Sequence, residues 1–270
     1  MKLARTLAEL RAELEPLRAG GKVGLVPTMG AFHDGHRALF RAARQECGAV
    51  VVSLFVNPAQ FGPGEGLDGY PRDELRDARL AEDAGVDLLF APAVAELYPE
   101  GFGTWVEVEE HSHRLEGAFR PGHFRGVATV CLKLFHLVAP QRAYFGRKDV
   151  QQLAVVRRLV HDLNVPVEIR AVETVRDLDG LALSSRNVHL GAGERVSALA
   201  LSRALAAGAA AHRAGDDPVT AAQAVLATER GVEPQYLEVA RLDGQSVLAV
   251  AARVGTTRLI DNVILEGDEP

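Results

Sequence analysis

The sequence VPTMGAFHDGH, residues 26–36, decides how the rest of the chain is interpreted. A β-branched apolar run at 22–26 precedes it and predicts a buried strand that Pro27 ends, because proline has no N–H for strand pairing. Apolar residues then recur at helical spacing from Leu39 to Cys47. The stretch is therefore a strand, a glycine loop and a helix start, whose unpaired N–H groups suit phosphate.

Neither of two common phosphate motifs fits this loop. G-x-G-x-x-G is absent because the loop glycines are Gly30 and Gly35. Their spacing matches a P-loop, but His36 and Arg37 stand where its lysine and hydroxyl residue belong. The remaining pair, His33 and His36, could donate hydrogen bonds to a polyphosphate and stabilise a leaving pyrophosphate. Half of a zinc site is the alternative, although the chain has only two cysteines.

Strand and helix patterns alternate beyond this loop. Strands are predicted at 49–55, 86–90, 142–145 and 167–172, and helices at 72–84, 124–138 and 149–163. This alternation predicts an α/β fold with a doubly wound, Rossmann-like parallel sheet, which we assign to residues 1–175. Alanine-rich helices and strand patterns at 236–240 and 258–264 predict a smaller α+β C-terminal domain at 176–270. Its charged tail, 266–270, is expected to fray.

Composition limits the function. The net charge of −6 and the 6% aromatic content argue against nucleic-acid binding by phosphate neutralisation or base stacking. No apolar run is long enough to span a bilayer, so we expect a soluble protein with no membrane partner. Two cysteines far apart in sequence favour a reducing, cytoplasmic location.

Polar residues follow other predicted strands. Asn57 and Gln60 lie after the second strand, where neutral amides could orient a small hydroxy acid, although single amides also close turns. Lys148 and Gln152 begin the helix after the strand at 142–145, where a lysine suits phosphate. An exposed lysine is otherwise only solubilising.

Two further groups carry cationic or hydroxyl side chains. Arg120 and His123 lie in a proline- and glycine-rich turn, where a guanidinium could hold a carboxylate or phosphate. Ser184, Ser185 and Arg186 lie on the connection to the C-terminal domain. They could clamp phosphates when that domain closes as a lid.

Five blocks of the sequence resemble one family. PTMGAFHDGH, FVNPAQFGPGE, RPGHFRGV, YFGRKDVQQ and SSRN are similar, in this order, to blocks of the pantothenate synthetase (pantoate–β-alanine ligase) family of HxGH nucleotidyltransferases. They cover residues 26 to about 190, whereas the last 80 or so residues resemble the family only in general character and contain no matching block. The chain departs from the usual pattern at Arg125, which we interpret as a surface change, and at Arg147, which alters local charge but not the reacting residues of its block. It also departs at Leu183, a volume-conserving change.

The resemblance implies a reaction and its substrates. Pantoate and ATP form pantoyl adenylate with release of pyrophosphate, and β-alanine then displaces AMP to give pantothenate. The resemblance also implies that ATP is a substrate, that Mg²⁺ accompanies it and that the enzyme is a homodimer. A nucleotidyltransferase acting on a phosphate acceptor, and a nucleotide-sensing module without activity, are the alternatives. The amide-rich FVNPAQF loop favours a carboxylate substrate.

The resemblance also assigns roles to residues. The implied catalytic residues are His33, His36, Lys148, Ser184, Ser185 and Arg186. The implied ATP contacts are these six with Met29, Gly146 and Asp149. The implied pantoate contacts are Thr28, Met29, Asn57, Gln60 and Gln152. Arg120 and His123 are candidate phosphate or substrate contacts, and the resemblance implies that Asp77 lies near the magnesium ion.

Overall fold

The computed structural model describes residues 1–63 and 66–265; the tail at 266–270, predicted to fray, lies outside them. The strands are β1 Lys2–Ala4, β2 Val23–Thr28, β3 Ala49–Leu54, β4 Leu88–Phe90, β5 Arg142–Gly146, β6 Glu168–Val172, β7 Val232–Leu242, β8 Gln245–Val254 and β9 Thr257–Ile264. The helices are α1 Leu7–Arg18, α2 Asp34–Glu46, α3 Glu74–Asp83, α4 Val94–Leu97, α5 Glu109–Ser112, α6 Glu116–Phe119, α7 His123–Val138, α8 Val150–Asp162, α9 Ala192–Ala214 and α10 Pro218–Ala227. Short 3₁₀ helices cover Pro58–Gln60, Arg147–Asp149 and Ser185–His189.

The first six strands form one parallel sheet in the order β1-β4-β3-β2-β5-β6. The chain moves from β2 through β3 to β4 in one direction, then returns to place β5 on the other side of β2. The strand order therefore reverses between β2 and β5. Ligands of such sheets bind beyond the carboxyl ends of the strands at this reversal. The structure confirms the predicted fold class.

Both faces of this sheet are covered. Alternate residues of β2 and β3 point to opposite faces, so Leu25 and Val51 join one buried cluster with α1, α7 and α8, while Val26 and Val52 join another with α2 and α3. This double burial explains why the strands are almost continuously apolar.

One predicted boundary is wrong. Pro27 does not end β2, which continues to Thr28 with Pro27 opposite Ser53 of β3. On the other side, β5 pairs with β2 only at Gly24 and Leu25. Beyond Leu25 no residue of β5 accepts a hydrogen bond from this edge of β2, so a proline, which has no N–H, is tolerated at position 27. The three-residue strand β1 and the strand β8 were not predicted.

The chain divides into two compact units. The first comprises Met1–Arg147 and Gln151–Val172, and the second comprises Lys148–Val150 and the chain from Glu173 onward. In the second unit, β7, β8 and β9 form an antiparallel sheet whose buried residues pack with α9 and α10. The division at 175/176 into a substrate-binding domain and a lid stays a prediction.

Candidate active site

The loop after β2 lies at the carboxyl end of the sheet, where the strand order reverses. Gly30 and Ala31 both have positive φ, 85° and 53°, so the chain turns sharply before α2. The buried carboxylate of Asp77 on α3 accepts hydrogen bonds from Ala31 N–H and Phe32 N–H, both at 2.7 Å. These two bonds stabilise the turn. Ala31 needs such support because a positive φ is unfavourable for a residue other than glycine.

His33 and His36 cap the start of α2 together. His33 Nδ1 accepts from Gly35 N–H at 3.1 Å, and His36 Nδ1 accepts from His33 N–H at 3.3 Å. Their ring centroids are 4.2 Å apart. A neutral imidazole that accepts at Nδ1 carries its hydrogen on Nε2. Both rings are therefore held at a helix N-terminus with Nε2–H as the donor, and N–H donors at a helix N-terminus suit an anion.

Thr28 and Met29 connect β2 to this turn. The Thr28 hydroxyl donates to the Ser53 carbonyl at 2.5 Å and so joins the ends of β2 and β3. Met29 is partly exposed. The predicted contacts of both residues with substrate stay predictions.

Gln60 is held by a network of buried groups. Asn57 Nδ2 donates to Gln60 Oε1 at 3.0 Å and to the Gly126 carbonyl at 3.1 Å, while Asn57 Oδ1 accepts from Ala59 N–H. The Gln60 amide is thereby oriented with its Nε2 as the donor end. Asn57 uses both amide hydrogens within the protein, so its observed role is to position Gln60; its predicted contact with pantoate stays a prediction.

Arg120, directly after α6, and His123, the first residue of α7, support the same segment. His123 Nδ1 donates to the Gln60 carbonyl at 2.9 Å, which leaves His123 Nε2 as the acceptor for Arg120 Nη1 at 3.1 Å. Arg120 Nη2 also donates to the Gln60 carbonyl, and Glu116 lies 3.9 Å from the guanidinium. Both residues are buried. Sequence reasoning expected phosphate or substrate contacts here and missed this support of the Gln60 backbone.

The adjacent glutamines that begin α8 differ in environment. Gln151 is buried, accepts from Glu116 N–H at 3.0 Å and donates to the carbonyls of His111 and Arg114 at 2.8 and 2.7 Å. Gln152 is only partly buried. The motif QQ thus contains one structural glutamine and one that a substrate could reach. The sequence alone could not separate them because both belong to the same block.

The remaining predicted residues lie in two short 3₁₀ helices or directly before them. Gly146 ends β5 in the first unit, and Lys148 and Asp149 follow it in the second. Lys148 is partly buried and Asp149 is exposed. Ser184 caps the helix Ser185–His189, since its hydroxyl accepts from Arg186 N–H at 3.3 Å. Ser184, Ser185 and Arg186 therefore lie together on one turn.

Both carboxylate oxygens of Asp77 are hydrogen-bonded within the protein, and its expected place near the magnesium ion stays a prediction. Its side chain is 1% exposed, and each carboxylate oxygen already accepts a backbone N–H. Burial raises the pKa of this carboxyl above its ordinary value, although the two N–H groups act in the opposite direction. Within residues 1–63 and 66–265, no cluster of three His, Cys, Asp or Glu side chains could hold a metal.

The fold and the paired histidines define the class of protein: an α/β protein with a doubly wound parallel sheet and an HxGH loop at the sheet reversal. The family model for pantoate–β-alanine ligases matches residues 2–264. The pantothenate synthetase of Acidobacterium capsulatum is 50% identical, with 100% of this chain and 98% of that relative covered. That of Heliobacterium modesticaldum is 49% identical, with 98% and 100% covered.

Solved structures agree with these relatives. Pantothenate synthetase from Thermus thermophilus superposes with a TM-score of 0.94 at 49% identity, covering 98% of this chain and 99% of that one. Pantoate–β-alanine ligase from Francisella tularensis, complexed with β-γ ATP and β-alanine, gives a TM-score of 0.84 at 33% identity, covering 99% and 98%.

The chain belongs to the pantoate–β-alanine ligase family. It is an enzyme, an ATP-dependent ligase that forms a C–N bond between pantoate and β-alanine. No helix among the described residues is long and apolar enough to cross a membrane.

Proposed function

We propose that this ligase works through a pantoyl adenylate formed in the loop after β2. A pantoate carboxylate oxygen attacks the α-phosphorus of ATP, and the bond to pyrophosphate breaks. The neutral amine of β-alanine then attacks the acyl carbon, loses a proton and displaces AMP, giving pantothenate. The protein need supply no nucleophile, because both nucleophiles belong to substrates; it supplies position and charge stabilisation.

The observation that carries this proposal is the mutual capping of His33 and His36. Their capping bonds fix both Nε2–H groups as donors without any net positive charge on the neutral rings. Such donors bind the phosphates of ATP and become stronger partners as charge develops on the leaving pyrophosphate. Met29 and Gly146 contribute to the nucleotide site from the ends of β2 and β5.

Cationic and hydroxyl groups take the other phosphate contacts in this proposal. Lys148, Ser184, Ser185 and Arg186 hold the β- and γ-phosphates, and Asp149 stands beside them. Gln60 and Gln152 orient pantoate, while Thr28 and Asn57 shape its site. The fixed Oε1 of Gln60 supports this assignment, because it leaves an amide donor for the hydroxyl or carboxylate of pantoate.

Magnesium, a homodimer and a cytoplasmic location complete the proposal. Mg²⁺ prefers phosphate and water ligands, so it enters bound to ATP and neutralises phosphate charge without a dedicated protein cage. The two cysteines, Cys47 and Cys131, are free and buried, which accords with a reducing compartment. Light scattering on the purified protein tests the dimer.

One experiment tests the reaction. The enzyme is incubated with ATP, Mg²⁺ and pantoate while pyrophosphate is followed, and β-alanine is then added while AMP and pantothenate are measured. We expect pyrophosphate only when pantoate is present, and AMP only after β-alanine. Pyrophosphate release with a phosphate acceptor in place of pantoate would instead support a simple nucleotidyltransferase.

A further inference from the structure

Strand β9 of the second unit carries two neighbouring polar residues with little exposure. Asp261 is 4% exposed and Asn262 is 8% exposed. Their side chains contact two separate segments of the same unit, the hairpin before Ser184 and the backbone of Lys148. A strand can hold a segment on each side because its successive side chains point in opposite directions.

Asp261 fixes the hairpin that leads to Ser184. Its two carboxylate oxygens accept from Arg176 Nη1 at 2.6 Å and Nη2 at 3.0 Å. Arg176 pairs with Ala182 across the hairpin, and Leu183 N–H donates to the Val175 carbonyl at 3.0 Å. A bidentate ion pair fixes direction as well as distance, so the residue that follows Leu183 leaves the hairpin at a defined place.

Asn262 fixes the segment that carries Lys148. Its Nδ2 donates to the Lys148 carbonyl at 2.8 Å. The acceptor belongs to the lysine itself, so this bond restrains the backbone from which the Lys148 side chain extends. An aspartate at 262 could not make this bond when ionised, since a carboxylate only accepts.

We propose that Asp261 and Asn262 are positioning residues for the pyrophosphate half of ATP. They hold Lys148 and the Ser184–Arg186 turn in one fixed relation, so that the proposed phosphate contacts converge. The inference rests on the proposed function of those contacts. Neither residue is assigned a contact with substrate. Pyrophosphate is absent when β-alanine attacks the adenylate, so only the first step depends on this relation.

The test measures the two steps separately in Asp261→Asn and Asn262→Ala. Single-turnover pyrophosphate release from ATP, Mg²⁺ and pantoate reports the first step. AMP release from supplied pantoyl adenylate and β-alanine reports the second. We expect the first rate to fall about tenfold to a hundredfold, the usual result of small misplacement, with the second rate nearly unchanged. The double variant Arg176→Gln/Asp261→Asn should lose no more of the first rate than either single variant, because each single change already breaks the same ion pair.

Arg203→Ala is the matched control. It removes another arginine–carboxylate pair of the same unit, Arg203 with Glu229 at 3.1 Å, on the helix α9. The rates of both steps should stay normal in this variant.

The inference would be overturned if Asn262→Ala slowed both steps equally, or if it slowed neither step while keeping a normal melting temperature. Asn262→Ala removes no charge and so provides the test even where Asp261→Asn does not fold. A wild-type enzyme without pantoate-dependent pyrophosphate release would instead overturn the proposed function.

Discussion

The carboxylate of Asp77 accepts the Phe32 N–H at 2.7 Å, linking α3 to a loop 45 residues earlier in the chain. The same carboxylate accepts the Ala31 N–H, so it restrains the turn that places His33. A residue expected beside magnesium therefore has an observed role in shaping the histidine loop.

Asp77→Asn should lower the adenylation rate without changing the magnesium dependence. An amide has one oxygen, so one of the two loop N–H groups loses its acceptor, which costs about 1–3 kcal/mol. The measurement is pyrophosphate release over a range of Mg²⁺ concentrations, with Asp68→Asn as a surface control. Recovery of activity at high Mg²⁺ would show that Asp77 acts through the metal.

His36→Ala and Lys148→Ala should each lower single-turnover pyrophosphate release roughly a hundredfold to a thousandfold, the usual loss for one transition-state donor. His36→Ala also removes the acceptor for His33 N–H, so its melting temperature should be measured in parallel. His136→Ala, on the exposed side of α7, serves as the control. Near-normal adenylate formation in both variants would contradict the assignment.

The two adjacent glutamines should separate binding from stability. Gln152→Ala should weaken pantoate binding in calorimetry while ATP affinity and melting temperature are nearly kept. Gln151→Ala leaves three backbone groups without their partner and should lower the free energy of unfolding by roughly 2–4 kcal/mol. A loss of stability in Gln152→Ala together with a loss of pantoate affinity in Gln151→Ala would contradict this assignment. Gln60→Ala should also weaken pantoate binding, but it should lower the melting temperature as well, because buried Asn57 Nδ2 loses one acceptor.

Gly126→Ala should weaken pantoate binding although alanine favours helix. A Cβ at this position of α7 would lie 2.3 Å from the Ala59 carbonyl oxygen, so the segment that carries Gln60 must move. Gly193→Ala on α9 is the control, because no atom outside its own helix turn lies within 4 Å of its added Cβ. Calorimetry with pantoate checks both; unchanged affinity in Gly126→Ala would show that Gln60 does not depend on this contact.

Glu46→Gln should reduce the sensitivity of stability to acid. The hydrogen bond from Arg170, at 2.6 Å, lowers the pKa of Glu46 below its ordinary 4.5. A lowered pKa means that the stabilising ion pair is complete above pH 4.5 and is lost as the pH falls through the folded-state pKa. The variant should melt lower than wild type at pH 7, and its melting temperature should fall less on acidification below pH 4.5. An equal fall would contradict this; Glu100→Gln is the surface control.

Much of the first unit could be predicted from the sequence because its signals are local. Continuous apolar runs such as 49–55 are typical of strands covered on both faces, and β3 forms there. The strand β1 escaped prediction because three residues carry too little periodicity. The prediction that Pro27 ends β2 was wrong because a strand tolerates proline where the neighbouring strand does not need an N–H donor. That neighbour is β5, which lies more than a hundred residues later in the sequence.

The candidate site divides in the same way. The residue types of the histidine loop and its position after a strand were enough to predict an anion site there, and this stays a prediction. Only the tertiary structure decided which polar residues hold others in place: Asn57, Arg120 and His123 around Gln60, Gln151 around α6, and Asp77 beneath the turn at Gly30. The physical reason is that a hydrogen bond between distant segments depends on how the chain folds back. A motif gives the residue type, whereas the fold decides whether its polar atoms are bonded within the protein.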